Sequence, residues 1–525
     1  MRADRVVAAL LPAAKPAGQP KAAHRCRGVI PLAAALVLAG TYGEGSSGAV
    51  PYDPAPCPNP IVEGAPQYDL GSGFECGYLT VPENRERPNG RSIRIPVARL
   101  RAQSPTPKKD PIVFLAGGPG GSGLLEQSAA AGWNADRDVI FISQRGTLKA
   151  EPFLSCPEID EFTARSAQLV MAEPATSDAS ARATRACRER LAGDGWDLSA
   201  YNTTENAADV ADLRIALGID EWNVYGVSYG TNLALQLLRD HPEGIRTLVL
   251  DGVVPPQITS VEVDWSAAAR GYRALFDACA NDRSCNSAFP KAHSEFTRLV
   301  NDLADRPRSI SVEDPGSGRM AEVVVDGYKL ANLVVRASSD ADLRARIPAI
   351  VHDLATGTGA KAAAALLPSH GTAGIFGYGL QLGVQCHEYV PRTSQRSMLA
   401  AAKKALPDFP DSVLSLLPQT PYVFSDCAVW NVGSAAGRAS EPARSDIPVL
   451  LVSGAFDGIT PPGFAEIAAR SLPRSRQLVF PGAGHAVFST SPECFRTIME
   501  DFLNQLSDFD TGCLSAERIP PFETS

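Results

Sequence analysis

The sequence predicts an α/β protein: a mostly parallel sheet whose strands alternate with helices, broken by a large, mainly helical insertion before the sheet is completed. Three observations predict it. Apolar runs of strand length alternate with segments of helical periodicity between Ser92 and Leu250, and strand–helix–strand succession implies parallel pairing. The rhythm then stops from Pro255 to Ser445. It resumes at Val449, where two further strand-and-helix units follow.

In order, residues 93–100, 112–115 and 139–142 read as strands bounded by Gly, Pro or charge. A helix is expected over 207–217, with Thr203 or Thr204 as its N-cap, then a strand over 222–227, a helix over 231–239 and a strand over 247–250. The interval that follows holds helical stretches at 267–279, 360–367 and, less cleanly because of Pro348, 343–354. Residues 433–444, rich in Gly, Ala, Ser and Pro, read as a linker back to the sheet. Strands at 449–452 and 477–480 and helices at 463–471 and 494–506 complete it. The division expected is therefore a leader, 1–49, a first core part, 50–254, a cap, 255–445, and a final core part, 446–525.

Bulk properties narrow the function classes. Of 525 residues, 44% are hydrophobic and 20% charged, enough to bury a core and against wholesale disorder. A net charge of -9 with no long Lys/Arg run argues against nucleic acid as a partner. Lys21, Arg25 and Arg27 precede an apolar run at 29–40, too short to span a bilayer easily, so it reads as a signal peptide cleaved after Ala39 or near Ala49. That predicts a secreted or cell-envelope protein with no stable membrane insertion after cleavage. Eleven cysteines become an even set once Cys26 leaves with the leader. Pairing neighbours in order gives 57 with 76, 156 with 187, 279 with 285, 386 with 427, and 494 with 513, one of several connectivities that parity allows. No zinc-type spacing occurs, and His387 beside Cys386 has no second ligand at helical spacing. No metal and no cofactor is expected.

The chemistry is carried by four loops. Gly226-Val227-Ser228-Tyr229-Gly230 is the one Gly-x-Ser-x-Gly in the chain and falls where a predicted strand hands over to a predicted helix. The glycines are needed because such a turn strains the serine backbone and crowds its neighbours. A serine hydroxyl needs a histidine base, and that base an acid to fix its tautomer. Of seven histidines only His485 lies beyond the resumption of the sheet, in the glycine-rich turn Gly482-Ala483-Gly484-His485. Asp457 follows the strand at 449–452. Asp446, before that strand, and Asp426 are weaker choices, since an acid must leave a strand's carboxyl end to face the site. Finally, Gly117-Gly118-Pro119-Gly120-Gly121-Ser122-Gly123 follows the strand at 112–115. Gly118 and Tyr229 are the expected N–H donors to an oxyanion. A phosphate cradle is disfavoured, because no Gly-Lys-Ser/Thr closes the loop.

With these motifs, and with Cys76-Gly77-Tyr78-Leu79-Thr80-Val81-Pro82, Gln144-Arg145-Gly146-Thr147, Cys386-His387-Glu388 and Cys427-Ala428-Val429-Trp430, the chain resembles the proline iminopeptidase and tripeptidyl aminopeptidase branch of the α/β-hydrolases, secreted members with a TAP-like C-terminal region. The resemblance implies the α/β-hydrolase fold and serine hydrolysis through Ser228, Asp457 and His485. It implies removal of residues or short peptides from peptide amino ends, or, as in some relatives, cleavage of small acyl esters. It also implies a carboxylate beneath the cap for the substrate amine, which the Cys-x-acid motif assigns to Glu388. Ala116 and Ser143 depart from the His and Asp common in proline iminopeptidases, which argues against proline-specific recognition. Oligomeric state is not legible.

Overall fold

The computed structural model describes residues 50–62, 70–368, 373–435 and 437–524; the expected leader lies outside them. Among the described residues a nine-stranded sheet runs β1-β2-β3-β5-β4-β6-β7-β10-β11. Its members are β1 (Tyr52–Ala55), β2 (Phe74–Pro82), β3 (Ser92–Leu100), β4 (Ile112–Leu115), β5 (Val139–Ile142), β6 (Trp222–Val227), β7 (Ile245–Asp251), β10 (Val449–Gly454) and β11 (Ser475–Phe480). The strands from β5 to β11 in this order are parallel, while β1, β2 and β3 extend the sheet antiparallel. The sheet thus begins earlier than Ser92. From Cys76 to Pro82 the strand alternates between half-buried and buried positions, so it carries no unbroken apolar run.

The central strands are buried along almost their whole length because both faces are covered. Val113 and Leu115 of β4 pack into one cluster while Ile112 and Phe114 pack into the other. In β10 the same parity sends Val449 and Leu451 one way and Leu450 and Val452 the other. Helices α1 (Pro157–Ser166), α2 (Pro174–Gly193), α3 (Thr203–Ala216) and α4 (Tyr229–Asp240) follow β5 and β6. Asn202, the residue before both expected caps, caps α3 by accepting from Glu205 N–H; the Thr203 hydroxyl is engaged elsewhere.

Between β7 and β10 the chain is mainly helical, opening with α5 (Ser260–Asn281). It also holds a hairpin, β8 (Arg308–Asp314) with β9 (Arg319–Val325). Pro348 does not break the helix Ala341–Thr356. It costs one backbone hydrogen bond, while Ile347, Ile350, Val351 and Leu354 around it are buried without exposure. This interval shares one continuous apolar cluster with a face of the sheet. α2 packs on it too, with Ser180 and Thr184 hydroxyls donating to Asp426 and Arg188 Nε donating to the Trp430 carbonyl. Five disulfides join Cys57–Cys76, Cys156–Cys187, Cys279–Cys285, Cys386–Cys427 and Cys494–Cys513, the sequential pairing.

Candidate active site

Ser228 sits between β6 and α4 with φ 54° and ψ -123°, a conformation that costs an L-residue of order 1–3 kcal/mol and persists only when its surroundings impose it. They do. Ser228 N–H donates to the Asp251 carbonyl at 2.8 Å, and its own carbonyl accepts from Thr231 N–H and Oγ1 at 2.9 and 2.6 Å. A Cβ on Gly226 would overlap the Gly230 carbonyl, and one on Gly230 would overlap the Leu115 carbonyl. Both glycines are therefore obligatory.

His485 follows β11 and Asp457 follows β10, so both rise at the carboxyl edge of the sheet beside Ser228. His485 Nδ1 lies 2.9 Å from Asp457 Oδ2. The other carboxylate oxygen accepts from the Ile459 and Thr460 N–H groups at 2.8 and 2.7 Å. Thr460 is a residue the sequence reasoning missed: its Oγ1 lies 2.7 Å from Asp457 Oδ2 and 3.0 Å from His485 Nδ1. A hydroxyl three residues after the acid was the available signal. Burial works to lower the imidazole pKa, but the Asp457 charge overrides it and the net shift is upward. Burial likewise favours neutral Asp457, yet His485 and the Thr460 bonds hold its carboxyl below the ordinary range. Asp251, at the end of β7, braces the loop after His485 by accepting from Val487 and Phe488 N–H, each at 2.9 Å. The Ser228 hydroxyl makes no hydrogen bond among the described residues, and it shares two cavities with His485.

The glycine loop after β4 lies against the serine: a Cβ on Gly117 would stand 3.0 Å from Ser228 Cβ. Gly118 takes φ +116°, where a Cβ would press on the Gly120 and Gly121 nitrogens. Its N–H has no acceptor among the described residues, and Tyr229 N–H belongs to the first turn of α4, where no intrahelical acceptor exists. Ser143 bridges Ser122 and Thr147 at 2.8 Å each and so ties the loop down. Arg145 is wholly buried, bonded to Asp209 and to the Glu83 and Ala200 carbonyls. The Gln-Arg-Gly motif is a brace.

A cavity of about 310 Å³ brings together Gly118, Ser228, Tyr229, Asp457's neighbour Thr460, and His485. Glu388, the expected amine anchor, is not on its wall. It is buried behind Tyr229, its oxygens accepting from Thr203 N–H at 2.6 Å and Thr203 Oγ1 at 2.8 Å, and Thr203 in turn contacts Tyr229 Oη. Burial raises its pKa, against those bonds. The Cys-x-acid motif marks a carboxylate under the cap, but Thr203 at the start of α3 consumes it. Asp264, on α5, does line the cavity. It has no hydrogen-bond or charge partner among the described residues, and desolvation alone pushes its pKa to about 8. Nothing in the sequence marked it, since it lies in an ordinary helical stretch.

The sheet order, the strained serine turn and the Asp–His pair define a hydrolase of the α/β-hydrolase fold. The chain has the α/β-hydrolase fold with a TAP-like C-terminal region: the α/β hydrolase fold model matches residues 110–319 and the TAP-like protein model residues 418–512. It is similar to a tripeptidyl aminopeptidase of Streptomyces lividans, 31% identical over 202 residues, a match spanning 37% of this chain and only 37% of that protein's length. The serine protease Hip1 of Mycobacterium bovis is 24% identical over 479 residues, 85% of this chain and 88% of that one. A proline iminopeptidase of Neisseria gonorrhoeae is 27% identical over 186 residues, 35% and 42% of the two chains. Five disulfides fit an oxidising, extracytoplasmic compartment, and among the described residues no helix is long and apolar enough to cross a membrane.

Proposed function

We propose that the protein is an exported serine aminopeptidase that releases a residue or short peptide from the free amino end of its substrate, with Ser228, His485 and Asp457 as its triad. The observation that carries this over an esterase reading is Asp264. A carboxylate held on the cavity wall without a partner among the described residues is costly and is compensated when a substrate ammonium occupies the same cavity as Ser228. The basic leader with its apolar run and the disulfide set support export.

In this reading Ser228 Oγ attacks the scissile carbonyl while its proton passes to His485 Nε2. Asp457, aided by Thr460, holds the imidazole with Nδ1 protonated and stabilises the imidazolium. Negative charge on the carbonyl oxygen is met by the Gly118 and Tyr229 N–H groups. The C–N bond breaks as His485 returns the proton to the departing amine. Water, deprotonated by His485, then splits the acyl-enzyme, and Ser228 regains its proton.

The test is a panel of free-amino peptides, their N-acetyl forms and short-chain acyl esters, assayed on the wild type, Ser228→Ala and Asp264→Asn. The expected outcome is cleavage of free-amino peptides only, no turnover or fluorophosphonate labelling in Ser228→Ala, and loss of the free-amine preference in Asp264→Asn. Equal cleavage of acetylated peptides, or esters alone being cut, overturns the aminopeptidase reading; a labelled, active Ser228→Ala overturns the triad.

A further inference from the structure

Two cavities meet at Ser228. The second, of about 410 Å³, shares Gly118, Ser228 and His485 with the first and is otherwise walled largely by apolar side chains, Leu125, Phe376 and Phe488 among them. Into this wall the chain inserts one acid. Glu126 follows the single helical turn Gly123–Leu125, so the glycine loop that lies over Ser228 also delivers a carboxyl to the neighbouring space. That carboxyl accepts no hydrogen bond and meets no cation among the described residues. Desolvation, with nothing opposing it, raises its pKa. Acids on apolar walls are normally paired; this one is half-buried with no partner among the described residues, and it lines the space next to the reacting serine.

We propose that Glu126 is a specificity-determining residue for the departing half of the substrate, selecting a cationic side chain, Lys or Arg, on the residue immediately after the scissile bond. The inference rests on the aminopeptidase reading: if Asp264 takes the substrate amine in the first cavity, the chain beyond the scissile bond leaves through the second. A Lys or Arg stem lies along Phe376 and Phe488 while its charge reaches Glu126, and pairing with a cation restores the ionised carboxylate that burial disfavours. The two uncompensated acids would then read opposite sides of one bond, Asp264 the terminal ammonium and Glu126 the first side chain of the product.

The experiment uses the full-length mature enzyme and three free-amino peptides identical except for Lys, norleucine or Glu after the scissile bond. Norleucine keeps the aliphatic stem without the charge. In the wild type kcat/KM for the Lys peptide should exceed that for norleucine by about tenfold, with the Glu peptide poorest. In Glu126→Gln the Lys/norleucine ratio should fall to near one, and in Glu126→Lys the order of Lys and Glu should reverse. A wild-type ratio near one overturns the inference without any variant, which covers the case of variants that fail to fold. A ratio unchanged in Glu126→Gln also overturns it, as does Glu126→Gln abolishing the free-amine requirement, which would make Glu126 the amine anchor. If no peptide is cut while esters are, the aminopeptidase reading falls and this inference with it; if peptides are cut without preference, only this inference falls.

Discussion

Asp264→Asn should stabilise the protein while impairing its selectivity, and the size of the gain should depend on pH. The carboxyl of Asp264 has an ordinary value of 3.8 and is pushed up to about 8 by desolvation. Between those values the folded state holds a proton that the unfolded state has released, so stability falls as pH rises across this window and is level above it. Asparagine has no proton to hold. From 3.8 to pH 7 the penalty accumulates at about 1.4 kcal/mol per unit, giving a ceiling of about 4 kcal/mol. Asp264 is half-buried on a cavity wall, and cavity water screens it, so we take about 1–2 kcal/mol as the working figure. In a chain of this size that corresponds to roughly 1–4 °C in Tm. Scanning calorimetry of both proteins at pH 4.5 and pH 8 checks it: the two curves should nearly coincide at the lower pH and separate at the higher, with the variant above. A variant no more stable than the wild type at pH 8, or equally ahead at both pH values, refutes the argument that Asp264 is an uncompensated charge.

Three further outcomes follow from the site. Gly230→Ala forces a methyl group into the Leu115 carbonyl and should reduce activity by at least about a hundredfold with soluble protein retained, since small displacements of the nucleophile are costly; near-normal kcat would show that the turn can relax. Because the imidazole of His485 is raised on balance above its ordinary 6.5 and acts as a base when neutral, kcat/KM should decline on the acid side with a midpoint above 6.5. In Asp457→Asn, burial is left to dominate, so that midpoint should move downward in whatever activity survives, with kcat lower by roughly 10³–10⁴; an unmoved midpoint would mean that another group sets the limb.

Much of this molecule was legible because its signals are local. The runs at β4, β6 and β10 are mostly apolar and fully buried since both sheet faces are covered, and chain order then places Ser228, Asp457 and His485 after the ends of β6, β10 and β11. Strand β2, between β1 and β3, was less visible because only alternate residues along most of it are buried, and Pro348 blurred a helix that forms all the same because burial around it outweighs one missing hydrogen bond. The glycines of the serine turn could be assigned from the sequence because steric exclusion by neighbouring backbone is a property of the turn itself.

Carboxylates are different, since their role depends on what surrounds them in space. Sequence determined that acids lie in the segment over the sheet, and a motif singled out Glu388. Tertiary structure decided that Thr203 occupies Glu388 and that Asp264 and Glu126, unmarked in the sequence, line the cavities at Ser228 without partners among the described residues. Strand, turn and triad order are written in neighbouring residues, whereas desolvation and the absence of a counter-charge arise only when distant segments close around a site.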